Sequence, residues 1–246
     1  MTEAAPALVV RGLTKLYDAV RAVQELSFEV APGEVVGLVG PNGAGKTTTL
    51  RCVAGVIPPT HGEILIAGSD LLASPVRAKR ALAFLPDEPR LFEYLTVREH
   101  LNFTARLYDV AGWERRAEGL LDELELLDKQ DRLPGELSRG MKQKLSIACG
   151  FLHDPRLILL DEPLTGLDPL GIRKMKRSIS ERAQAGAAVV LSSHLLPLVE
   201  ELCHRVLVIS SGKRVAFGTL EEIRGELGSG ATFEDVFVRI TAPEGG

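Results

Sequence analysis

The sequence predicts an α/β fold whose central strands are parallel and whose first strands form a separate antiparallel group. An apolar run over residues 35–39 leads into a glycine-rich loop and then into a helical pattern. Two more apolar runs, residues 157–160 and 187–192, flank a helical stretch from about residue 169 to 185. Residues 23–30 alternate apolar and polar side chains, as a half-buried antiparallel strand does. Because strands joined by a crossover helix lie parallel in one sheet, a parallel core is predicted.

The first 85 residues show strand patterns separated by turn signals. Strands are predicted at residues 8–10 and 23–30, before the glycine-rich loop, and at residues 62–68 and 81–85 after it. Pro86 and Pro89 follow the last of these runs. Since proline cannot continue a central strand, a loop is predicted there.

Residues 93–153 have the pattern of a helical subdomain inserted into a single domain of residues 1–246. Thr96 and Glu99 form a capping box, a second helix is predicted from about residue 113 to 127, and Ser138 caps a third.

A hairpin is predicted over residues 205–217. Thr219 and Thr232 cap short helices in a tail from about residue 219 to 240, and residues 243–246 form a loose end.

Composition and charge argue against several classes of protein. The 246 residues carry a formal net charge of −4, so no general basic field attracts nucleic acid. The widely spaced Cys52, Cys149 and Cys203 indicate reduced core thiols rather than disulfides or a zinc site. The N-terminus lacks a signal-peptide pattern, and no apolar run approaches the roughly 18 residues that span a bilayer. We therefore expect a cytoplasmic chain that reaches a membrane only through another chain.

The glycine-rich loop has the pattern of a phosphate-binding loop. Gly40, Gly43 and Gly45 are expected to adopt positive φ and to bring backbone N–H groups to an anion at the N-terminus of the next helix. Lys46 supplies a cation for the outer phosphates, and Thr47 supplies a hydroxyl ligand for the Mg²⁺ that accompanies a nucleoside triphosphate. The predicted nucleotide-binding residues here are Gly40, Pro41, Asn42, Gly43, Ala44, Gly45, Lys46, Thr47 and Thr48.

Two carboxylates follow the apolar run at residues 157–160. Asp161 is predicted to hold Mg²⁺, directly or through water, because the carboxyl end of a core strand lies at the phosphate end of the sheet. Glu162 is predicted to act as the general base toward the attacking water. An acidic pair opening a loop would be ordinary in isolation. Its combination with the glycine-rich loop favours catalysis.

With these motifs in order, the sequence resembles the ATPase subunits of ATP-binding-cassette (ABC) transporters over nearly its whole length. The loop is similar to the family's Walker A motif, and residues 157–162 are similar to Walker B with its catalytic glutamate. Residues 137–141 resemble the signature motif, residues 165–168 the D-loop, His194 the switch histidine and Tyr17 the aromatic that stacks on adenine. The resemblance implies a P-loop NTPase core with a mixed sheet, an N-terminal antiparallel β subdomain and an inserted α-helical subdomain.

The resemblance also implies a site shared between two copies of the chain. The signature of one copy would face the Walker A loop of the other, with Ser138 and Gly140 donating hydrogen bonds to the γ-phosphate. Lys46 and His194 would join Glu162 as catalytic residues. The residues implied to contact nucleotide outside Walker A are Tyr17, Ser138, Arg139, Gly140, Met141 and Asp168.

The implied cofactors are ATP and Mg²⁺, and the implied partners are a second copy and a separate transmembrane permease, with no nucleic acid. The amino-acid sequences of residues 137–144 and 161–169, together with Asp87, resemble those of the ABC-2 type exporter branch. The resemblance therefore implies an ATPase that powers export from the inner face of the cell membrane. In this arrangement residues 85–92 would dock a cytoplasmic helix of the permease.

Three positions depart from the family pattern, two of them in the signature. Arg139 and Met141 replace a glycine and the glutamine of the signature, and Asp87 replaces the glutamine that reaches Mg²⁺ and the reacting water. Arg139 would contact phosphate or solvent. Our hypothesis is that Asp87 still senses Mg²⁺ but does so through its charge. The alternative is a surface aspartate with no such role.

Two other classes of protein also contain a phosphate-binding loop of this kind. A superfamily ATPase that acts on nucleic acid or ribosomes is one, but such relatives usually carry two cassettes, a long coiled-coil insertion or zinc modules. A small-molecule kinase or GTPase is the other, but it leaves the signature, Glu162 and His194 unexplained. Association with a membrane protein separates the transporter subunit from the first alternative.

Overall fold

The computed structural model describes residues 5–225 and 232–241, and its strands form two sheets. The strands are β1 (Leu8–Tyr17), β2 (Val20–Val30), β3 (Val35–Val39), β4 (His61–Ile66), β5 (Ser69–Asp70), β6 (Leu82–Leu85), β7 (Leu157–Asp161), β8 (Ala188–Ser192), β9 (Arg205–Ser210) and β10 (Lys213–Gly218). The smaller sheet is antiparallel, with the strand order β2-β1-β4-β5. This sheet confirms the predicted antiparallel subdomain.

The larger sheet has the order β10-β9-β3-β8-β7-β6. Strands β9, β3, β8, β7 and β6 are parallel to one another. Strand β10, at the edge, pairs antiparallel with β9 and forms the predicted hairpin. The prediction of a mixed sheet is therefore confirmed. Strand β8 lies between the strand that precedes the glycine-rich loop and the strand that ends in Asp161.

The helices are α1 (Lys46–Val53), α2 (Pro75–Arg80), α3 (Val97–Leu107), α4 (Trp113–Glu123), α5 (Arg139–Phe151), α6 (Pro169–Gln184), α7 (Leu196–Leu202), α8 (Leu220–Gly225) and α9 (Phe233–Thr241). The capping box of Thr96 and Glu99 starts α3, and Ser138 caps α5, as predicted. In the described part of the chain, no helix is long and apolar enough to cross a membrane. The division into one domain with an inserted helical subdomain stays a prediction.

Both faces of the larger sheet are buried, which explains the unbroken apolar runs of its strands. Along β7, Leu157 and Leu159 pack into the core shared with the antiparallel sheet. Ile158 and Leu160 point to the other face and pack into the core shared with helices α3 to α6. This alternation follows from the two-residue period of a strand. The sheet is thus fixed between two layers, and its carboxyl edge carries the candidate site.

Several element boundaries differ from the predictions. Residues 13–17 belong to β1, which continues past Gly12 (φ 56°) through shifts in its register with β2. Helix α4 ends at Glu123 rather than near residue 127, because Glu125 adopts a left-handed φ of 59° that a helix cannot contain. The short elements β5 and α2 were not predicted. The predicted loose end at residues 243–246 lies outside the described residues.

Candidate functional site

The glycine-rich loop joins β3 to α1, so its backbone turns at the N-terminus of a helix, as predicted. Gly43 and Gly45 adopt φ of 79° and 104°, which the sequence led us to expect. The same expectation is wrong for Gly40, which is not in the positive-φ region. A Cβ atom at Gly40 would lie 2.2 Å from the Ile209 carbonyl oxygen, so the close approach of β9 requires glycine there.

Lys46 lies at the start of α1 with its ammonium group folded back onto the loop. Its Nζ donates hydrogen bonds to the carbonyl oxygens of Gly40 (2.7 Å) and Pro41 (3.2 Å). Burial lowers the pKa of Lys46, while the charges of Glu162 and Asp161 act in the opposite direction. The predicted phosphate-binding cation is therefore near Asp161, a predicted metal ligand, and Glu162, the predicted general base.

Asp161 lies at the end of β7 and is only 3% exposed. Its Oδ1 accepts a hydrogen bond from Ser192 Oγ (2.6 Å) and one from Thr47 Oγ1 (3.2 Å). The structure thus brings together Thr47 and Asp161, two of the three residues predicted to act on Mg²⁺, while Asp87 makes no hydrogen bond to either of them in the described part of the chain. Ser192 was not among the predicted site residues. The available signal was a serine that ends an otherwise apolar strand at the same edge of the sheet as Asp161.

Glu162 directly follows β7 and has a left-handed φ of 50°, which is uncommon for a residue other than glycine. Its backbone N–H donates to the carbonyl oxygen and to the hydroxyl of Ser192, both at 3.2 Å. Its carboxylate Oε2 lies 2.9 Å from Nδ1 of His194. The side chain of His194 is 60% exposed, whereas that of Glu162 is 20% exposed. The predicted base and the predicted switch histidine are therefore in contact.

The predicted signature residues lie at the N-terminus of α5. Ser138 caps this helix by accepting a hydrogen bond from the Met141 N–H (3.3 Å). Gly140 packs against the D-loop, because a Cβ atom there would lie 3.2 Å from the carbonyl oxygen of Gly166. Arg139 lies over the same Gly166. The predicted signature and the predicted D-loop of one chain therefore pack against each other at Gly166.

Arg139 also approaches Asp87, which likewise departs from the family pattern. Its Nη2 lies 3.9 Å from Asp87 Oδ1. Both side chains are partly exposed, but Oδ1 itself is shielded from solvent and accepts no hydrogen bond from the described residues. Arg139 thus places a positive charge near this carboxylate, at a distance too long for a hydrogen bond.

Three further residues, Asp168, Tyr17 and Thr48, are predicted to contact nucleotide. Asp168 caps α6 by accepting a hydrogen bond from the Gly171 N–H (2.7 Å). Tyr17 ends β1 with 46% of its surface exposed, and Lys15 Nζ lies 5.0 Å from the centre of its ring. The ring is thus available for stacking. Thr48 follows Thr47 within α1 and is half-buried.

The structure does not bring the signature residues to the Walker residues of the same chain. Within residues 5–225 and 232–241, no hydrogen bond or ion pair links residues 138–141 to Lys46, Thr47, Asp161 or Glu162. Ser138 and Arg139 are exposed. The predicted signature residues are thus left without a direct polar contact to the Walker residues in the described part of the chain.

Comparison with known proteins decides the family. The family model described as "ABC transporter" matches residues 23–165, which include both phosphate-site carboxylates, Ser138 and the glycine-rich loop. The chain belongs to the ABC transporter family. The predicted resemblance is confirmed, and with it the assignment as an ATP-binding subunit and ATPase.

Relatives of this ABC protein cover almost all of its length. It is 36% identical to the ABC-type transporter ATP-binding protein EcsA of Bacillus subtilis, over 97% of this chain and 98% of EcsA. It is 35% identical to the lipopolysaccharide export system ATP-binding protein LptB of Escherichia coli, over 88% of this chain and 92% of LptB. A solved structure of an ABC transporter ATP-binding subunit superimposes with a TM-score of 0.92 at 38% identity, covering 96% of this chain and 99% of the other.

Proposed function

We propose that this chain hydrolyses MgATP at a site completed by a second copy and thereby powers export through a separate transmembrane permease. The observation that carries the proposal is the cluster at the carboxyl edge of the larger sheet, in which Thr47, Asp161, Glu162 and His194 are linked by direct contacts. These are the groups that ATP hydrolysis needs for phosphate, metal and water.

The residues present fit a magnesium ion. Thr47 and Asp161 offer hard oxygen ligands 3.2 Å apart beside the phosphate loop. In the described part of the chain, no group of three or more His, Cys, Asp or Glu side chains is arranged to hold a metal. This agrees with Mg²⁺, which is held by few protein ligands together with substrate phosphates. When bound, Mg²⁺ would neutralise phosphate charge. We propose that Asp87 senses it through charge, as the sequence suggested.

Glu162 is proposed as the general base. Its carboxylate takes the proton of the attacking water, and His194 at 2.9 Å fixes the carboxylate and contacts the γ-phosphate. Lys46 leaves its two carbonyl partners to bind the outer phosphates, and Tyr17 stacks on adenine. Contacts at the carboxyl edge of the larger sheet support the roles of Lys46, Glu162 and His194, because Lys46 lies near the Glu162 carboxylate and His194 contacts it. The role of Tyr17 is supported by its partly exposed ring at the end of β1.

The second half of the site is proposed to come from another copy. Ser138 and Gly140 at the N-terminus of α5 are suited to donate hydrogen bonds to a γ-phosphate, because the helix dipole favours an anion there. These residues do not reach the Walker residues of their own chain. We therefore infer that a second copy, in the opposite orientation, places its signature residues at the phosphate loop. Asp168 lies on the same surface, at the start of α6.

The docking surface for the permease is proposed to be the aromatic groove that follows the Asp87 loop. The groove has a volume of about 550 Å³. Phe92 and Phe103 pack edge to face at 5.1 Å and are 54% and 45% exposed, and Tyr94 is 88% exposed. Exposed aromatic side chains of this kind mark an interface. An apolar cytoplasmic helix of the permease fits this groove and would hold the chain at the inner face of the membrane.

Export is the direction that the name of the Escherichia coli relative states for that protein. We propose it here together with a permease of the ABC-2 type. The alternative, an ATPase that acts on nucleic acid or ribosomes, makes the opposite prediction about membrane association.

Purification of the tagged chain from membranes tests the proposal. We expect a polytopic membrane protein to co-purify with the wild type, and the Phe92→Ala/Tyr94→Ala variant to lose it while its basal ATPase activity is kept. Val238→Ala removes a side chain that is 61% exposed on α9, and it serves as the control that keeps the partner. If no membrane protein associates with the wild type, the nucleic-acid alternative is favoured.

A further inference from the structure

Ser192 lies at the point where the three central strands of the larger sheet meet the candidate site. It is the last residue of β8 and is fully buried. In the sheet it is paired with Leu38 of β3 on one side and with Asp161 of β7 on the other. Ser192 therefore lies between the strand that precedes the phosphate loop and the strand that ends in Asp161.

The hydroxyl of Ser192 contacts both carboxylate residues. Its proton is donated to Asp161 Oδ1 at 2.6 Å, and its oxygen accepts the backbone N–H of Glu162 at 3.2 Å. A serine hydroxyl has one proton to donate and lone pairs to accept, so a single group serves both neighbours. The carbonyl oxygen of Ser192 accepts the same Glu162 N–H at 3.2 Å.

The position makes this hydroxyl difficult to replace by water. Ser192 is 0% exposed and Asp161 is 3% exposed. A buried carboxylate oxygen that loses a donor keeps its desolvation cost without compensation. The other donor to Oδ1 is Thr47, which is itself a proposed metal ligand on a different element. Ser192 is therefore the fixed partner that determines how the carboxylate of Asp161 is turned.

The second contact bears on Glu162, whose φ of 50° is unfavourable for a residue with a side chain. This backbone turn directs the Glu162 carboxylate to His194 instead of continuing β7. The two acceptor oxygens of Ser192 hold the N–H at the point of the turn. Loss of the hydroxyl removes one of them.

We propose that Ser192 is a positioning residue that orients the carboxylate of Asp161 toward Mg²⁺ and holds the backbone of Glu162 in its catalytic conformation. The inference rests on the proposed function, because it assigns Ser192 to the ATPase site. It gives Ser192 a role that is exerted through Asp161 and Glu162, the two residues that its hydroxyl contacts. A partner that orients a metal ligand typically changes metal affinity or activity by about 10- to 100-fold.

The test compares Ser192→Ala with the wild type in two measurements. The first is binding of Mn²⁺, as a spectroscopic substitute for Mg²⁺, to the ATP-bound protein by electron paramagnetic resonance. The second is ATPase activity as a function of Mg²⁺ concentration. We expect Ser192→Ala to weaken Mn²⁺ binding and raise the half-saturating Mg²⁺ concentration by about tenfold, to lower kcat, and to leave the affinity for metal-free ATP unchanged.

Ser193 supplies a matched control within the same strand end. It is 2% exposed, and its hydroxyl accepts the Leu195 N–H at 3.0 Å, away from the carboxylates. We expect Ser193→Ala to keep wild-type metal binding. Wild-type metal binding by Ser192→Ala, or an equal loss in both variants, overturns the inference. A wild-type protein without ATPase activity instead refutes the proposed function, so the two failures are distinguishable.

A second pair of variants covers the case in which Ser192→Ala does not fold. Ser192→Thr keeps the hydroxyl donor, whereas Ser192→Cys keeps the approximate shape but offers only a weak donor. We expect Ser192→Thr to retain Mn²⁺ binding and Ser192→Cys to lose it. Equal Mn²⁺ affinity of these two variants contradicts the assigned role.

Discussion

At the scale of single residues, two of the three departures from the family motifs lie close to each other. Asp87 places a negative charge where the family usually has glutamine, and Arg139 places a positive charge where it usually has glycine. Their charged groups are 3.9 Å apart. Because the charges are opposite, the effect of one substitution on the site is partly offset by the other. The loop proposed to sense Mg²⁺ is thereby linked to the signature helix α5 of the same chain.

Asp87→Gln restores the usual residue and tests this charge. We expect the Mg²⁺ dependence of ATP hydrolysis to change by up to about fivefold, in keeping with the roughly 0.2–1 kcal/mol of a partly exposed ion pair. The measurement is an Mg²⁺ titration of ATPase activity. Arg139→Gln in the Asp87→Gln background should add little, since the pair is already broken.

Glu88→Gln is the control for Asp87→Gln, because it removes the neighbouring negative charge. It should leave the Mg²⁺ dependence as in the wild type. An unchanged Mg²⁺ dependence of Asp87→Gln would show that Asp87 is a surface residue without a role at the metal.

His194→Ala removes the contact with Glu162 at 2.9 Å. We expect kcat to fall by roughly 100-fold, because the general base loses the group that orients it, while ATP affinity stays near the wild-type value. Steady-state kinetics and equilibrium ATP binding separate the two effects. His61→Ala, which changes an exposed histidine on β4, is the matched control. A kcat for His194→Ala equal to that of the control argues against the role of His194.

At the scale of elements, two ion-pair clusters connect α4 and α5 to α6, the helix that follows the predicted D-loop. Glu123 at the end of α4 accepts hydrogen bonds from Ser178 (2.6 Å) and Arg182 (3.2 Å). Glu125 lies 2.8 Å from Lys144 on α5 and 2.7 Å from Lys174 on α6. Movement of α4 and α5 is therefore expected to be transmitted to α6 and to Asp168, the predicted D-loop residue that caps the start of α6.

Glu125→Gln tests this connection through pH. Hydrogen bonds from Lys144 and Lys174 lower the pKa of Glu125 from 4.5 to about 2. A carboxylate with a depressed folded-state pKa contributes stability above its unfolded pKa and loses it as pH falls through the folded pKa. We expect Glu125→Gln to melt about 1–3 °C below the wild type at pH 7, and the difference to shrink between pH 4.5 and 2.

Thermal melts across that pH range provide the measurement, and Glu118→Gln, which changes an exposed residue of α4, provides the control. A difference that is independent of pH would mean that the Glu125 ion pairs are not its cause.

The elements also show which parts of the fold the sequence could predict. The runs that became β3, β7 and β8 were recognisable because strands buried on both faces are continuously apolar. The end of α4 was not predicted, because Glu125 adopts a left-handed φ without glycine. Short elements such as β5 are stabilised by pairing with β4 rather than by a pattern of their own.

At the scale of the whole molecule, site residues in local motifs could be predicted from the sequence, whereas residues that meet only in the folded chain could not. Lys46, Thr47, Asp161 and Glu162 were identified because each stands in a local motif whose context fixes its chemistry. Ser192 was missed because its contact with Asp161 depends on the register of β7 and β8, which no local pattern specifies. The proximity of Arg139 to Asp87 likewise joins residues 52 positions apart.

The central claim for the molecule is that Glu162 drives turnover in a site that two copies share. Glu162→Gln keeps the size of the side chain but removes the negative charge that accepts a proton from water. The hydrogen bonds of Asp161 to Thr47 and Ser192 do not involve the Glu162 carboxylate, so nucleotide binding should persist.

The most direct measurement combines ATPase activity, ATP binding and light scattering of Glu162→Gln in MgATP. The account predicts ATP affinity close to the wild type, a loss of turnover of at least about 100-fold, and a molar mass that doubles when ATP is added. Hydrolysis at the wild-type rate, or a monomer that binds ATP without associating, would contradict it.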